Sequence, residues 1–148
     1  MKDHIEKSIE VNAPIERVWR ALTNYEEFGQ WFRVKLSGPF AVGELSTGHI
    51  TYPGYEHVKW EATIREMQEP HLFSFTWPHP ADFNAPDYHD EPTTLVEFRL
   101  GPTANGTRVT LTESGFEALP PERQTEAMRS NEGGWEEQMR NIKAHVDG

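Results

Sequence analysis

Apolar side chains recur at every second position in several stretches of the chain, which indicates strands with one buried face. The first stretch covers residues 4–11, where Ile5, Ile9 and Val11 are in phase. The same alternation predicts further strands over residues 32–36, 44–52, 57–68, 73–77, 94–100 and 109–113. The alternation therefore predicts a sheet of seven strands.

Two irregularities refine this sheet. The apolar phase of the stretch 57–68 slips before Met67, and a β-bulge near Arg65 and Glu66 explains the slip. Asn105-Gly106 lies between two alternating stretches and predicts a tight hairpin. Short turns between consecutive strands favour an antiparallel meander.

Helical spacing appears in two places, and the first follows the first strand. An amphipathic helix is predicted by the i, i+3, i+4, i+7 spacing of Ile15, Val18, Trp19 and Leu22. Asn24 with Glu27 three residues later is typical of a helix N-terminus. We therefore expect a second short helix from Tyr25 to about Trp31.

The C-terminal region has the second helical pattern. One apolar stripe is formed by Trp135, Met139, Ile142 and Val146. Gly133-Gly134 interrupts the pattern before this stripe, and Pro120-Pro121 indicates an earlier helical start. The interruption predicts that residues 122–129 form a separate turn or two.

The order strand, two helices, six strands and helix predicts an α+β helix-grip fold. A curved antiparallel sheet would wrap around the long C-terminal helix, because the concave face of the sheet is the one large apolar surface available to it. The length of 148 residues fits a single domain, and we expect one domain over 1–148.

Charge and composition narrow the functions. The net charge of −10 disfavours binding to nucleic acid or to an anionic membrane surface. The absence of cysteine excludes thiol chemistry and fits a reducing compartment. The apolar runs are too short to cross a bilayer, and the charged N-terminus is unlike a signal peptide, so we expect a cytoplasmic protein.

Four stretches together are similar to a known family. They are VNAPIERVWRALTNYEEFGQWF at 11–32, EMQEPHLFSFTW at 66–77, GTRVTLTESGFEAL at 106–119 and GGWEEQMRNIKAHV at 133–146. The chain resembles the activator of Hsp90 ATPase homologue family, within the START-like or Bet v 1-like superfamily. The resemblance implies the helix-grip fold, but it brings no shared catalytic motif. Relatives include ligand carriers, cyclases, hydrolases and chaperone activators.

The many aromatic side chains of this chain can have two roles in such a fold. Aromatic side chains either fill the core or line a cavity between the sheet and the helix. The residues predicted to line a ligand cavity are Trp31, Tyr52, Trp60, Phe75, Trp77, Phe98, Trp135 and Met139. Both uses stay open at this point.

The connection over residues 78–92 is long for a compact domain, and such loops are often functional. Phe83 and Tyr88 are candidates for a lid over the cavity. Its ionisable side chains, His79, Asp82, Asp87, His89 and Asp90, include metal-ligand types, but their spacing matches no known metal motif, so a solvated loop without metal is favoured.

Other ionisable groups give weaker signals. His49, His57 and His71 are general-base candidates, but no partner is placed to complete a triad with any of them. Glu113 is expected near the rim of the cavity. We therefore predict no catalytic residue, no metal and no cofactor.

Three functions are compatible with these observations. The favoured one is binding of an apolar or aromatic molecule, lipid-like or polyketide- and flavonoid-like, between sheet and helix. The alternative is a chaperone-associated interaction domain, which the family resemblance implies. An enzyme acting on a hydrophobic substrate comes third, because it needs a titratable group in the cavity.

Overall fold

The computed structural model describes residues 4–80, 88 and 91–147. Its strands are β1 (Ile5–Val11), β2 (Val34–Leu36), β3 (Leu45–Ile50), β4 (Lys59–Gln68), β5 (Leu72–Pro78), β6 (Thr93–Pro102) and β7 (Thr107–Ser114). They form one antiparallel sheet in the order β1-β7-β6-β5-β4-β3-β2. The predicted meander is confirmed, with β1 added beside β7 at one edge.

The helices are α1 (Ile15–Thr23), α2 (Tyr25–Phe32) and α3 (Pro121–Asp147), and a 3-10 turn covers Phe116–Ala118. The stripe predicted on α3 is buried against the curved sheet at Trp135, Met139, Ile142 and Val146. The structure therefore has the predicted α+β helix-grip fold. Among the described residues, none of the helices combines the length and the apolar character that crossing a bilayer requires.

The junction of α1 and α2 follows the predicted capping pattern. The side-chain oxygen of Asn24 accepts hydrogen bonds from the backbone N–H groups of Glu26 (3.1 Å) and Glu27 (3.0 Å). The predicted strand over 32–36 begins too early, because Phe32 is the last residue of α2. Arg33 ends the helix in the left-handed region, with φ 69°, and β2 starts at Val34.

The two irregularities predicted in the sheet are both present. The register of β4 against β5 shifts between Ile64 and Glu66, which is the expected bulge. In the turn between β6 and β7 the N–H of Thr103 donates to the carbonyl of Gly106 (2.9 Å). A Cβ at position 106 would lie 2.0 Å from the carbonyl oxygen of Val11, so only glycine fits there.

The break predicted at Gly133-Gly134 is wrong, because α3 is continuous from Pro121 to Asp147. Two glycines in a helix interior lower its intrinsic stability by about 1 kcal/mol each relative to alanine. Tertiary contacts on both sides override this preference, since Trp135 is buried in the core and Asn131 is bonded to the sheet.

Candidate functional site

A cavity of about 140 Å³ lies at one end of the sheet, where the end of β3, the start of β4 and the end of β5 meet α3. Its wall is aromatic and aliphatic on most sides and also contains four polar or charged side chains. The lining residues are Phe32, Ile50, Val58, Lys59, Trp60, Glu61, Trp77, Pro78, His79, Tyr88 and Asn131. The arrangement suits a small apolar body with a polar edge.

Two of the predicted pocket residues, Trp60 and Trp77, line this cavity. Their ring centroids lie 5.8 Å apart at an interplanar angle of 72°. The indole N–H of Trp60 donates to Ser46 Oγ (3.0 Å), which fixes the ring against β3. Trp77 also stacks on Trp135, with 5.4 Å between centroids.

The other predicted pocket residues lie elsewhere. Phe75 and Phe98 have no solvent exposure, and the rest of the buried group consists of Trp31, Trp135 and Met139. These five fill the core that surrounds the cavity. Tyr52 lies outside the cavity wall, where its hydroxyl is 3.3 Å from both Glu137 Oε2 and Asn141 Nδ2.

Of the two lid candidates in the connection over residues 78–92, one lines the cavity. Tyr88 is buried, lines the cavity, and its hydroxyl accepts a long hydrogen bond from the backbone N–H of Lys59 (3.4 Å). Phe83, and the metal-ligand types at 82, 87, 89 and 90, lie outside the described residues. Within the part of the chain that the structure describes, no group of three potential ligands is placed to hold a metal ion.

A buried carboxylate behind the cavity is the main polar feature of the interior. Glu113 has no solvent exposure and accepts hydrogen bonds from five side chains. The indole N–H groups of Trp77 (2.7 Å) and Trp135 (2.8 Å) reach one carboxylate oxygen each. The hydroxyl of Thr94 donates to Oε2. This network joins β5, β6, β7 and α3.

The remaining two donors, His79 and Asn131, also line the cavity. His79 Nε2 lies 3.2 Å from Glu113 Oε2 and 2.8 Å from Thr94 Oγ1. Asn131 Nδ2 lies 3.0 Å and 3.2 Å from the two oxygens of Glu113. One layer of side chains therefore separates the carboxylate from the cavity.

The pKa of Glu113 reflects this environment. Burial alone raises the pKa of a carboxyl group, but the hydrogen bonds from His79, Thr94, Trp77 and Trp135 outweigh the burial and hold the pKa of Glu113 below its ordinary value of 4.5. The group is a carboxylate at neutral pH, and it accepts hydrogen bonds but donates none.

The sequence contains a signal for Glu113 that our prediction of a rim position did not use. Thr107, Val109 and Leu111 face the interior, and Glu113 continues their phase. Period-two alternation therefore assigns the carboxylate to the buried face. On the neighbouring strand, Thr94 is in phase with the buried Val96 for the same reason.

Solved structures with the same fold include proteins of low sequence identity. MLL2253 from Mesorhizobium loti is 22% identical, with a TM-score of 0.77 and coverage of 97% of this chain and 96% of that chain. BH1534 from Bacillus halodurans is 22% identical, with a TM-score of 0.72 and coverage of 99% and 97%. DynU16, a protein in the dynemicin biosynthetic locus, is 18% identical, with a TM-score of 0.77, and this chain spans 48% of its length.

These likenesses concern the fold, and no curated protein matches the sequence. The family comparison is more specific. Residues 12–147 match the family described as Activator of Hsp90 ATPase homolog 1-like protein. This match covers almost the whole chain, and the protein therefore belongs to that family.

Proposed function

We propose that the protein binds a small apolar or aromatic molecule, with one ring inserted between Trp60 and Tyr88 in the cavity at the end of the sheet. The observation that carries the proposal is a cavity of about 140 Å³ with an aromatic wall. Burial of apolar ligand surface would provide the affinity, at roughly 25 cal/mol per Å² before the costs of ordering.

The cavity volume favours a single ring over a lipid chain. An engineered apolar cavity of about 150 Å³ holds benzene, whereas pockets for drug-sized ligands have about 300 Å³ or more. A larger molecule, such as a polyketide- or flavonoid-like one, would place one ring inside and the rest at the opening.

We also keep the cytoplasm as the proposed location of the protein.

The indole N–H signals of an isotope-labelled sample test this proposal. Titration with toluene should shift the signals of Trp60 and Trp77 in a saturable way. The signal of Trp31 serves as an internal reference, because its N–H is bonded to the carbonyl of Ala21 (2.8 Å) away from the cavity wall. Equal shifts at all three indoles, or none at any, would contradict the proposal.

A cavity-filling variant provides the second test. Val58→Phe adds a ring to the cavity wall and should weaken toluene binding by about tenfold or more, as overpacking typically costs 1–3 kcal/mol. Val42→Phe makes the same change at a position that is 58% exposed and outside this wall. Equal affinities of the two variants would count against the cavity as the binding site.

The family match supports a second candidate, an interaction with the Hsp90 chaperone. An Hsp90 ATPase assay with and without the protein tests it. A faster ATPase rate that persists in Val58→Phe would support a surface interaction that is independent of the cavity. An unchanged rate over the whole concentration range would argue against it.

A further inference from the structure

The polar edge of the cavity is formed by two side chains that also belong to the network of Glu113. His79 and Asn131 line the cavity on one side and bond the buried carboxylate on the other. The hydrogen bonds to the carboxylate therefore determine which atoms of His79 and Asn131 are available to bind a ligand.

The donors of both side chains are taken up by Glu113. A carboxylate only accepts, so the nitrogen of the Asn131 amide faces it and leaves Oδ1 as the remaining atom. For the same reason Nε2 of His79 carries a proton, and in the neutral ring Nδ1 has the lone pair. The ring geometry directs this lone pair away from Glu113.

Both remaining atoms are acceptors without a protein partner in the described structure. Every buried side-chain nitrogen or oxygen among the described residues does have a partner. Nδ1 of His79 and Oδ1 of Asn131 are therefore reached by solvent, although the side chain of His79 is only 12% exposed. His79 and Asn131 line this cavity and also a neighbouring one beside Leu119 and Arg123. The first cavity has the aromatic wall, and an aromatic ligand bound there would lie beside both side chains.

We propose that the cavity selects aromatic rings that carry a hydroxyl group, the phenol class, with the hydroxyl donating to His79 Nδ1 beside Asn131 Oδ1. This inference rests on the proposed function. Aromatic carboxylates are disfavoured, because they bring a negative charge and no donor to a wall that contains Glu61 and backs onto Glu113. The ammonium group of Lys59 in the same wall lies over the ring of Tyr88, 5.7 Å from its centroid.

A comparison of phenol with toluene tests the inference, because the two molecules have nearly the same shape. In a purely apolar cavity phenol binds more weakly than toluene, since its hydroxyl loses hydrogen bonds to water. An acceptor in the wall reverses this order, and we expect phenol to bind the wild-type protein about tenfold more tightly than toluene. Benzoate should bind more weakly than either.

The matched variants are His79→Phe and His71→Phe. Phenylalanine at position 79 keeps a ring beside Phe116, which lies 5.6 Å away between centroids, but removes the acceptor. The preference for phenol over toluene should fall by about tenfold in His79→Phe. It should be unchanged in His71→Phe, where the exposed histidine lies in the turn between β4 and β5, at the end of these strands far from the cavity.

A spectroscopic readout keeps the test decisive if His79→Phe does not fold. In the wild-type protein with ¹⁵N-labelled histidine, phenol should shift Nδ1 of His79 and toluene should not. Toluene binding that equals or exceeds phenol binding would overturn the inference alone. Absence of binding by both compounds would overturn the proposed function with it.

Discussion

Two carboxylates of this protein each contact a histidine, but different kinds of partner stabilise their negative charges. Glu27 lies near the surface with 20% of its side chain exposed, where Arg17 (2.7 Å), Arg20 (2.8 Å) and His145 (2.9 Å) surround it. Glu113 has no exposure and contacts neutral N–H and O–H donors around the histidine. The first cluster uses cations, and the second uses oriented dipoles.

The pKa of Glu27 is also lowered, and the causes again differ. Partial burial raises the pKa of Glu27, but hydrogen bonds from His145 and Arg17 and the charge of Arg17 outweigh it. The comparison teaches that a low carboxyl pKa by itself does not identify an ion pair. At Glu113 the same result requires several donors held rigidly in place, so removing the carboxylate takes from each of them a hydrogen-bond acceptor.

The largest difference should appear when each carboxylate is removed. Glu113→Ala leaves the buried donors on Trp135 and Thr94 without their acceptor, while the Trp77 N–H keeps only its contact with Thr94 Oγ1 (3.1 Å), and we expect a loss of about 3–5 kcal/mol in the free energy of unfolding. Glu27→Ala should cost about 1 kcal/mol, because its partners reach water. Urea denaturation at neutral pH measures both. Equal losses would contradict the distinction between the two sites.

Removal of one donor at each site sharpens the comparison. Thr94→Val keeps the shape of a side chain that is 1% exposed but removes a donor to Glu113, and it should lower the free energy of unfolding by about 1–2 kcal/mol. Arg20→Ala at the other site should change it by less than about 0.5 kcal/mol, since the arginine side chain is 60% exposed. A larger loss for Arg20→Ala would reverse our ranking of the two networks.

Acid should reduce the contribution of both carboxylates to the free energy of unfolding. Because the pKa of each carboxyl is below 4.5 in the folded protein, its contribution is complete above about pH 4.5 and is lost as the pH falls through the folded-state pKa. In urea denaturation, Glu113→Gln and Glu27→Gln should each differ most from the wild type at neutral pH, and the difference should shrink in acid. A difference that widens in acid would contradict the sign.

Salt separates the two contributions within the same experiment. At about 1 M NaCl the Debye length is about 3 Å, so the exposed ion pairs of Glu27 should be weakened. The carboxylate of Glu113 has no solvent exposure, and the effect of Glu113→Gln should change little with salt. Equal salt dependence of the two variants would indicate that water or ions reach Glu113.

The smallest expected effect concerns the helix that carries two donors of Glu113. A Cβ at Gly133 or Gly134 meets no atom within 4 Å, and neither residue has a positive φ. Gly133→Ala should therefore stabilise the protein by about 0.5–1 kcal/mol in thermal or urea denaturation. Gly48→Ala is the contrasting control, since its Cβ would lie 2.2 Å from the carbonyl oxygen of Lys35. Destabilisation by both variants would show that the helix needs its glycines.

Most elements of the fold could be predicted, because their signals are local. The α3 stripe, the cap at Asn24 and the bulge before Glu66 each depend on residues within a few positions of one another. The continuity of α3 across Gly133-Gly134 could not be predicted, because the contacts that support it are distant in sequence, such as the bond from Asn131 to a carboxylate 18 residues away in the chain.

The candidate site could be predicted only in part. Alternation assigns a side chain to one face of a strand, but it does not say how far along the strand the space lies. Trp60 and Phe75 are both inward-facing, yet only Trp60 lines the cavity. His79 meets Glu113 across 34 positions, and no pattern within either segment contains that pairing.

The stack of Trp77 on Trp135 has an optical consequence. The two indoles lie 5.4 Å apart at an angle of 27°, and both donate to Glu113. Transition dipoles of neighbouring indoles couple, and the coupling depends on their separation and angle. Circular dichroism in the aromatic bands therefore provides a label-free reporter of this carboxylate and of any molecule that enters beside Trp77.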